Sequence, residues 1–392
     1  LFTSEPYENQ KTIEFTYTDK NVKTIAIIGE VGLYFTKGLL IDITQFGSNV
    51  KLKSLGNILS QLNSSNKTLD NVTALDVFKS SDLEVLDGYA FAGIPLDKLP
   101  TTLPTWDTVN ITSMKELLKG RTDWNINLSG FKTPHLNNVS GIFNQLNQIP
   151  FNINSWDFSN VLVGDNLFEG LNLSNVNLSL LKFTQMLTAD YMYQGSSNVV
   201  NFHSQPINNT SSITTAVGMF KNANLSGVTI NNDFRELVYA DSMFENATLT
   251  NCTIILNLPK CVSSKNIFKN TTFINCNISL VYTKLETLDS GFYSAIYDDE
   301  TKISINFGLS GKVVANYLFA ASNIKTINIV NMLNTQNILY ADYMFLNTLY
   351  DIDVSKFILT GAVSANGFIK NNVVFNGNVS SLKFTNCVYL DS

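Results

Sequence analysis

Charged side chains are scarce in this chain. Lysine, arginine, aspartate and glutamate make up 15% of its 392 residues, and the formal net charge is −6. Globular proteins usually carry about 25% charged residues. The only arginines are Arg121 and Arg235. Because nucleic-acid binding depends on phosphate neutralisation and on bidentate arginine contacts, the composition argues against a nucleic-acid partner.

The sequence also lacks the usual features of membrane spans and catalytic sites. No run of 18 apolar residues occurs, so a transmembrane segment is not expected. The four cysteines form no C-x-x-C pair, and phosphate-loop, dinucleotide-binding and nucleophile-elbow motifs are absent. The only histidines, His135 and His203, lie in dissimilar, loop-like stretches. We therefore expect no catalytic residues, no metal and no cofactor, and we expect that the protein is not an enzyme.

One phrase recurs along the chain, with its clearest copies at residues 240–247 and 341–347. Each copy contains one large apolar residue, here called the anchor, which is Phe244 in the first of these copies and Phe345 in the second. Successive anchors lie 24 to 27 residues apart, which predicts a tandem-repeat solenoid. The anchors are Phe91, Leu118, Phe143, Phe168, Tyr193, Phe220, Phe244, Phe268, Tyr293, Phe319, Phe345 and Ile369.

Helix-start and helix-stop residues flank most anchors. Three positions before the anchor, cap-type residues recur, namely Ser140, Asp165, Asp190, Asp241, Ser290, Asn316, Asp342 and Asn366. Two positions after the anchor, residues that tolerate the left-handed backbone conformation recur, namely Gly93, Gly120, Gly170, Gly195, Asn222, Asn246, Asn270, Asn347 and Asn371. The pattern predicts a helical turn or two in each unit.

A strand signal follows each anchor. Apolar residues recur five, eight and ten positions after it, as in Leu225, Val228 and Ile230 after Phe220. Apolar residues stand at the same offsets after other anchors, as in Ile324, Ile327 and Ile329 after Phe319. Cys252 and Cys276 occupy one of these positions in neighbouring units, and we expect them to stack in the core. The predicted fold class is an α/β leucine-rich-repeat-like solenoid, with parallel strands on one side and helical turns on the other. Residues 1–54 are predicted to form a β-rich N-terminal cap or irregular first coils, and residues 55–392 the repeats.

Two units carry a more specific motif. Residues 154–161 read N-S-W-D-F-S-N-V and residues 106–114 read W-D-T-V-N-I-T-S-M. Both resemble the BspA-like leucine-rich repeat of mycoplasma-type surface proteins. The resemblance implies an extracellular, secreted or cell-surface array that mediates adhesion or binds a protein or glycan ligand on a host or neighbouring surface, without enzymatic activity.

The outward positions of the predicted strands form the candidate binding face. These positions alternate with the buried ones and carry small, neutral, hydrogen-bonding side chains, which suit a carbohydrate or a protein edge. They are Thr229, Asn231, Thr253, Ile255, Asn277, Ser279, Asn328 and Val330.

Two alternatives remain open. Low charge and extended β architecture also suit a structural subunit of a viral or phage particle or of a surface layer, in which copies of the chain associate. The acidic run at residues 298–300 could hold Ca²⁺, although three adjacent acids without further spaced ligands are more typical of a solvated turn.

Overall fold

The chain forms a parallel β-solenoid in its computed structural model. The structure describes residues 84–87, 108–125, 127–199, 210–309, 312–350, 352–372, 382 and 384–389. The predicted cap at residues 1–54 and the anchor Phe91 lie outside these residues. Repetition and the parallel strands are as predicted, but the predicted helices are not found.

A ladder of parallel bridges runs the length of the described chain. One residue of each coil pairs with its equivalent in the next coil, and consecutive members lie 24 to 28 residues apart. We call this series the bridge ladder. Its members are Val85, Ser113, Asn138, Val163, Thr188, Thr215, Tyr239, Ser263, Thr287, Val314, Tyr340, Ser364 and Tyr389.

Continuous strands occur between residues 224 and 340. A four-stranded parallel sheet contains β1 (Asn224–Ser226), β3 (Thr248–Thr250), β5 (Thr272–Ile274) and β7 (Ile296–Tyr297). A five-stranded parallel sheet, built from five successive coils, contains β2 (Thr229–Ile230), β4 (Thr253–Leu258), β6 (Asn277–Tyr282), β8 (Lys302–Asn306) and β10 (Ile329–Leu333). The short strands β9 (Val313–Val314) and β11 (Ile338–Tyr340) pair within the bridge ladder.

The segment around each anchor is a series of tight turns, so the predicted helical turns are wrong. In residues 240–247, the amides of Met243 and Glu245 donate within the coil to the carbonyl three residues back. The amides of Ser242, Phe244 and Asn246 instead donate to the next coil, over 2.8 Å each. The only helices among the described residues are 3-10 segments of three residues each: Leu178–Leu180, Thr210–Ser212, Thr326–Asn328, Thr335–Asn337 and Val354–Lys356.

Left-handed residues explain why these turns do not continue as helices. Every described residue predicted to tolerate that conformation adopts it, with φ from 56° to 77° at Gly120, Gly170, Gly195, Asn222, Asn246, Asn270, Asn347 and Asn371. A second left-handed residue stands four positions earlier, such as Ser242 before Asn246. Two such residues per segment redirect alternate amides towards the neighbouring coil.

The anchor rings stack along the solenoid axis and form the centre of the core. From Phe168 to Phe345, successive ring centroids are 5.0 to 5.5 Å apart and interplanar angles are 24° or less. In two coils the buried ring belongs to the residue before the predicted anchor: Phe292 precedes Tyr293, and Phe368 precedes Ile369. Such parallel stacking follows directly from identical backbone paths in neighbouring coils.

The corner between the two sheets carries the stacked cysteines. Cys252 and Cys276 are buried in equivalent positions of neighbouring coils, as predicted, and both thiols are free. Each follows a left-handed asparagine, and the Asn275 side-chain amide donates to Asn251 Oδ1 over 2.8 Å. Among the described residues, no helix has the length and apolar character of a membrane span.

Candidate interaction surface

The outer face of the five-stranded sheet contains most of the predicted binding residues. Thr229, Asn231, Ile255, Asn277 and Val330 are exposed, and Thr253 and Ser279 are half-buried. Parallel pairing holds these side chains in columns, because Thr229, Thr253, Asn277 and Lys302 are successive register partners. Neighbouring columns are about 7 Å apart along a strand, and neighbouring coils are about 4.8 Å apart.

Asn328 is the exception, and its prediction as an outward residue is wrong. Its side chain is 1% exposed. Its amide donates to the carbonyls of Asp298 (2.6 Å) and Thr301 (2.9 Å), and its Oδ1 accepts from the Lys325 amide (2.9 Å). Ile327, predicted to be buried, is 55% exposed. The 3-10 segment Thr326–Asn328 and a register shift between Ile329 and Asn331 change which side chains point inward.

The same face includes residues that the sequence reasoning missed. Ser304 and Asn331 continue the column of Ile255 and Ser279, and a further column holds Asn257, Val281, Asn306 and Leu333. The alternation of polar and apolar residues at 302–306 predicts Ser304 and Asn306 as outward positions, because Ile303 and Ile305 between them are buried. The face thus combines hydroxyl and amide groups with a few apolar side chains and one cation, Lys302.

Aspartates on another part of the coil hold neighbouring coils together. The residue two positions after each bridge-ladder member from Val85 to Ser364 forms a column along the solenoid, here called the aspartate column. Asp241 Oδ1 accepts from Ser263 Oγ (2.5 Å) and from the Lys265 amide (2.8 Å), both in the next coil. Four of the aspartates, Asp165, Asp190, Asp241 and Asp342, were predicted to cap helices of their own coils, but they accept hydrogen bonds from neighbouring coils instead. The aspartates of the column are Asp87, Asp165, Asp190, Asp241, Asp289 and Asp342.

A serine or threonine in the next coil accompanies almost every aspartate of this column. Asp87, Asp190, Asp241 and Asp342 accept from the hydroxyls of Ser113, Thr215, Ser263 and Ser364 over 2.5 to 2.7 Å. Thr188 stands in the same place beside Asp165, but its hydroxyl is buried without a hydrogen bond, and Asp165 Oδ1 accepts from the Asp190 amide over 2.9 Å. Asp289 differs because Val314 stands in that place. Its Oδ1 is buried without a hydrogen bond. Burial raises the pKa of Asp289, although Lys265 and the Asn316 amide act in the opposite direction.

The acidic run at residues 298–300 forms a structural turn. Asp298 accepts from the amide (2.9 Å) and hydroxyl (2.6 Å) of Thr301 and from the Asn275 amide (2.7 Å). Burial alone would raise the pKa of Asp298, but these hydrogen bonds hold it below its ordinary value. Asp299 forms an exposed ion pair with Lys325 at 2.6 Å. The carboxylates therefore serve separate partners, an arrangement that favours the turn over a calcium site.

The remaining candidates do not form a site in the described chain. His135 is exposed, and His203 lies outside the described residues. Within the described ranges, no three histidine, cysteine, aspartate or glutamate side chains converge in a way that could hold a metal ion. A shallow groove of about 390 Å³ is lined by polar and charged side chains that include Lys115, Lys119, Asp165 and Glu169.

The W-D motif is built into the core of its coil. Trp156 is 4% exposed, stacks on Phe131 with ring centroids 5.9 Å apart, and donates from Nε1 to the Leu128 carbonyl over 3.0 Å. Asp157 accepts from the Ser159 amide over 2.9 Å, and the Asn160 amide group donates to the Pro134 carbonyl over 2.7 Å. Trp156 and Asn160 of the motif therefore bond to the preceding coil, whereas the Asp157 carboxylate closes a turn within its own coil.

Comparison with known proteins identifies a family. A family profile described as "Mycoplasma protein of unknown function, DUF285" matches residues 89–206 and 192–301, which together make up more than half of the chain. The chain matches no curated protein and no solved structure. The matched region includes the W-D coil at residues 154–161 and nine of the twelve anchors that define the repeat, from Phe91 to Tyr293. The chain belongs to the DUF285 family of mycoplasma proteins.

Proposed function

We propose that this chain is a non-enzymatic repeat protein, secreted or displayed at the cell surface, that mediates adhesion by binding a protein or glycan ligand. Membership of the DUF285 family and the BspA-like W-D motif support the proposal. The solenoid architecture also supports it, because stacked coils create long, regular surfaces of the kind that repeat proteins use for binding.

The outer face of the five-stranded sheet is the proposed ligand site. The observation that carries this assignment is the register of β4, β6 and β8, which aligns Thr253, Asn277 and Lys302 in one column and Ile255, Ser279 and Ser304 in another. Hydroxyl and amide groups on a rigid lattice can donate and accept hydrogen bonds with sugar hydroxyls or with a protein surface. Apolar side chains among them offer contact area for the less polar parts of a ligand.

A binding experiment tests the site. The labelled chain would be applied to an array of immobilised mammalian glycans, alongside the triple variant Thr253→Arg, Asn277→Arg, Ser304→Arg. We expect wild-type binding to a subset of glycans, and a loss of at least about tenfold in the variant because long cations fill the columns. The matched control is Thr248→Arg, Thr250→Arg, Thr272→Arg, which places three arginines on the outer face of the four-stranded sheet.

Each outcome has a definite meaning. If the first variant loses glycan binding and the control retains it, the result supports the outer face of the five-stranded sheet as the ligand site. Equal loss in both variants would show that added charge, rather than the face, determines binding. Retention in both would exclude this face. Failure of the wild-type chain to bind any glycan would exclude a glycan ligand among those tested and would direct the same variants to an array of host-surface proteins.

A further inference from the structure

A second surface lies along the bridge ladder, away from the outer face of the five-stranded sheet. In most of the described coils the ladder member and the residue before it are exposed or half-buried, and the residues on either side of this pair are buried. The exceptions include Val313, Ser263 and Ser364, which are themselves buried. Many of these outward side chains are large and apolar. Leu187 is 42% exposed, Tyr239 49% and Tyr340 40%. We call the apolar members the ladder stripe: Leu162, Val163, Leu187, Val238, Tyr239, Val262, Val314, Leu339, Tyr340, Val363, Val388 and Tyr389.

The aspartate column runs directly beside this stripe. The contact between Ser263 Oγ and Asp241 Oδ1, at 2.5 Å, shows that the two columns touch. Asp190, Asp241, Asp289 and Asp342 recur at every second coil, and all four are half-buried rather than enclosed; Val217, the exposed Lys265 and Asn316 stand in the coils between them. At about 4.8 Å per coil, these carboxylates are about 9.6 Å apart along the axis. Glu286 adds an exposed negative charge on the stripe itself.

This spacing matches one class of partner. An α-helix lying along the solenoid axis presents a side chain on the same face about every 10.5 Å, which is seven residues at 1.5 Å per residue. A helix also satisfies its own backbone hydrogen bonds. The backbone N–H and C=O groups of an extended peptide would find no partners here, because the backbone groups of the bridge ladder already pair between coils. A row of carboxylates beside an apolar stripe therefore favours a helix with apolar residues on one face and lysine or arginine at heptad spacing beside them.

We propose that the ladder stripe and the aspartate column form a docking surface for a basic amphipathic helix of a partner protein. This proposal depends neither on the location of the protein nor on the ligand site of the five-stranded sheet. The apolar side chains supply contact area, and the carboxylates fix the register and direction of the helix and exclude acidic competitors.

Two synthetic peptides of 21 residues can serve as probes, both with leucine on one face. One carries lysine at the flanking heptad positions and the other carries glutamate. Fluorescence anisotropy of the labelled peptides with the full chain at 150 mM NaCl should show binding of the lysine peptide only, with weaker binding at 500 mM NaCl because the charges are partly exposed.

Variants separate the two components of the surface. In Leu187→Thr, Tyr239→Thr, Tyr340→Thr, the new residue is one that already stands on the ladder at Thr188, Thr215 and Thr287, so the fold should tolerate it. In Asp190→Asn, Asp241→Asn, Asp342→Asn, the amide oxygen can still accept between coils, as Asn316 Oδ1 does from the Asp342 amide over 2.9 Å. Each triple variant should bind the lysine peptide at least about tenfold more weakly than the wild-type chain does.

The control is the variant Ile255→Thr, Val330→Thr, Leu333→Thr, which removes equally exposed apolar side chains from the five-stranded sheet and should bind as wild type. Unchanged binding in both test variants, or equal binding of the lysine and glutamate peptides, would overturn the proposal. Flotation with phosphatidylcholine vesicles that is lost in the ladder-stripe variant would also overturn it, because it would show that the stripe contacts a membrane instead.

Discussion

Two stretches of the solenoid hold their coils together by different means. Between residues 224 and 306, two parallel sheets pair neighbouring coils through continuous backbone hydrogen bonds. Between residues 108 and 199, the described chain pairs only through isolated bridges and turn amides, and side chains such as Trp156 and Asn160 supply further bonds to backbone carbonyls. The comparison shows that one repeat length can be maintained with strands or with side-chain hydrogen bonds, provided that the turn segments and the ring stack remain.

The largest expected effect lies in the feature that both stretches share. Phe244→Ala would interrupt the ring stack where centroids are 5.1 and 5.0 Å from the rings of Phe220 and Phe268. We expect a loss of about 3–5 kcal/mol in the free energy of unfolding, measured by urea denaturation, because a buried ring is replaced by a cavity. The exposed substitution Ser226→Ala is the control. A loss below about 1 kcal/mol would mean that the stack is not the common element of the core.

Trp156→Phe tests the stretch that lacks continuous strands. The new ring can still stack on Phe131, but the Leu128 carbonyl loses its hydrogen bond from the indole. We expect the free energy of unfolding to fall by about 1–3 kcal/mol. Hydrogen exchange should show faster exchange in residues 127–165 and unchanged protection in residues 248–282. A uniform change across both stretches would contradict the proposed division between them.

Asn246 tests the turn segments of the strand-rich stretch. This residue has φ of 58°, accepts from the Asn270 amide group and donates to Asn222, each over 2.9 Å. Asn246→Ala should lower the free energy of unfolding by about 1–2 kcal/mol, since alanine disfavours the left-handed conformation and makes neither side-chain hydrogen bond. Asn246→Gly keeps the backbone freedom and should cost less. If glycine lowers the free energy of unfolding as much as alanine does, the side-chain bonds to Asn222 and Asn270 matter and the backbone conformation does not.

The smallest expected effect is a gain. In Val314→Thr, a hydroxyl would be placed where other coils have one beside their aspartate, within reach of Asp289. The pKa of Asp289 should fall, and the free energy of unfolding at pH 7 should rise by about 1 kcal/mol. The pKa of Asp289 is raised in the folded chain, so its ionisation currently opposes folding, and the cost disappears as the pH falls through that pKa.

The pH dependence of Asp289 provides the measurement. Carboxyl carbon shifts in an NMR titration should report a lower pKa for Asp289 in Val314→Thr, and Asp289→Asn should remove the dependence of stability on this group. An unchanged pKa in Val314→Thr would show that the missing hydroxyl is not what leaves this carboxylate unsatisfied.

The sequence predicted the repeat, the buried strand positions of most coils and the left-handed residues, because each depends on one residue type at a fixed offset. Asn246 and Gly170 are examples: their backbone requirement is local. The helices were predicted wrongly because Asp241 and Asn246 resemble the start and stop of a helix. Only the neighbouring coil reveals that their partners lie across the coils.

The candidate surface was predicted less well than the fold. Alternation identified Thr253 and Asn277, but the register shift in β10 is not visible in the sequence, so Asn328 was placed on the wrong side. The pairing of aspartates with hydroxyls in the next coil could have been found by comparing Asp190 with Thr215 and Asp241 with Ser263 at the repeat spacing. That comparison requires knowing that coils stack in parallel.

The claim that this solenoid is an exported interaction protein is tested most directly by treating intact source cells with protease and probing for the chain. We expect the chain to be lost from intact cells while a ribosomal protein in the same cells survives. Survival of the chain until the cells are lysed, or its recovery mainly in purified particles with little on cells, would show that it is not an exported interaction protein. The latter result would indicate a structural subunit of a particle.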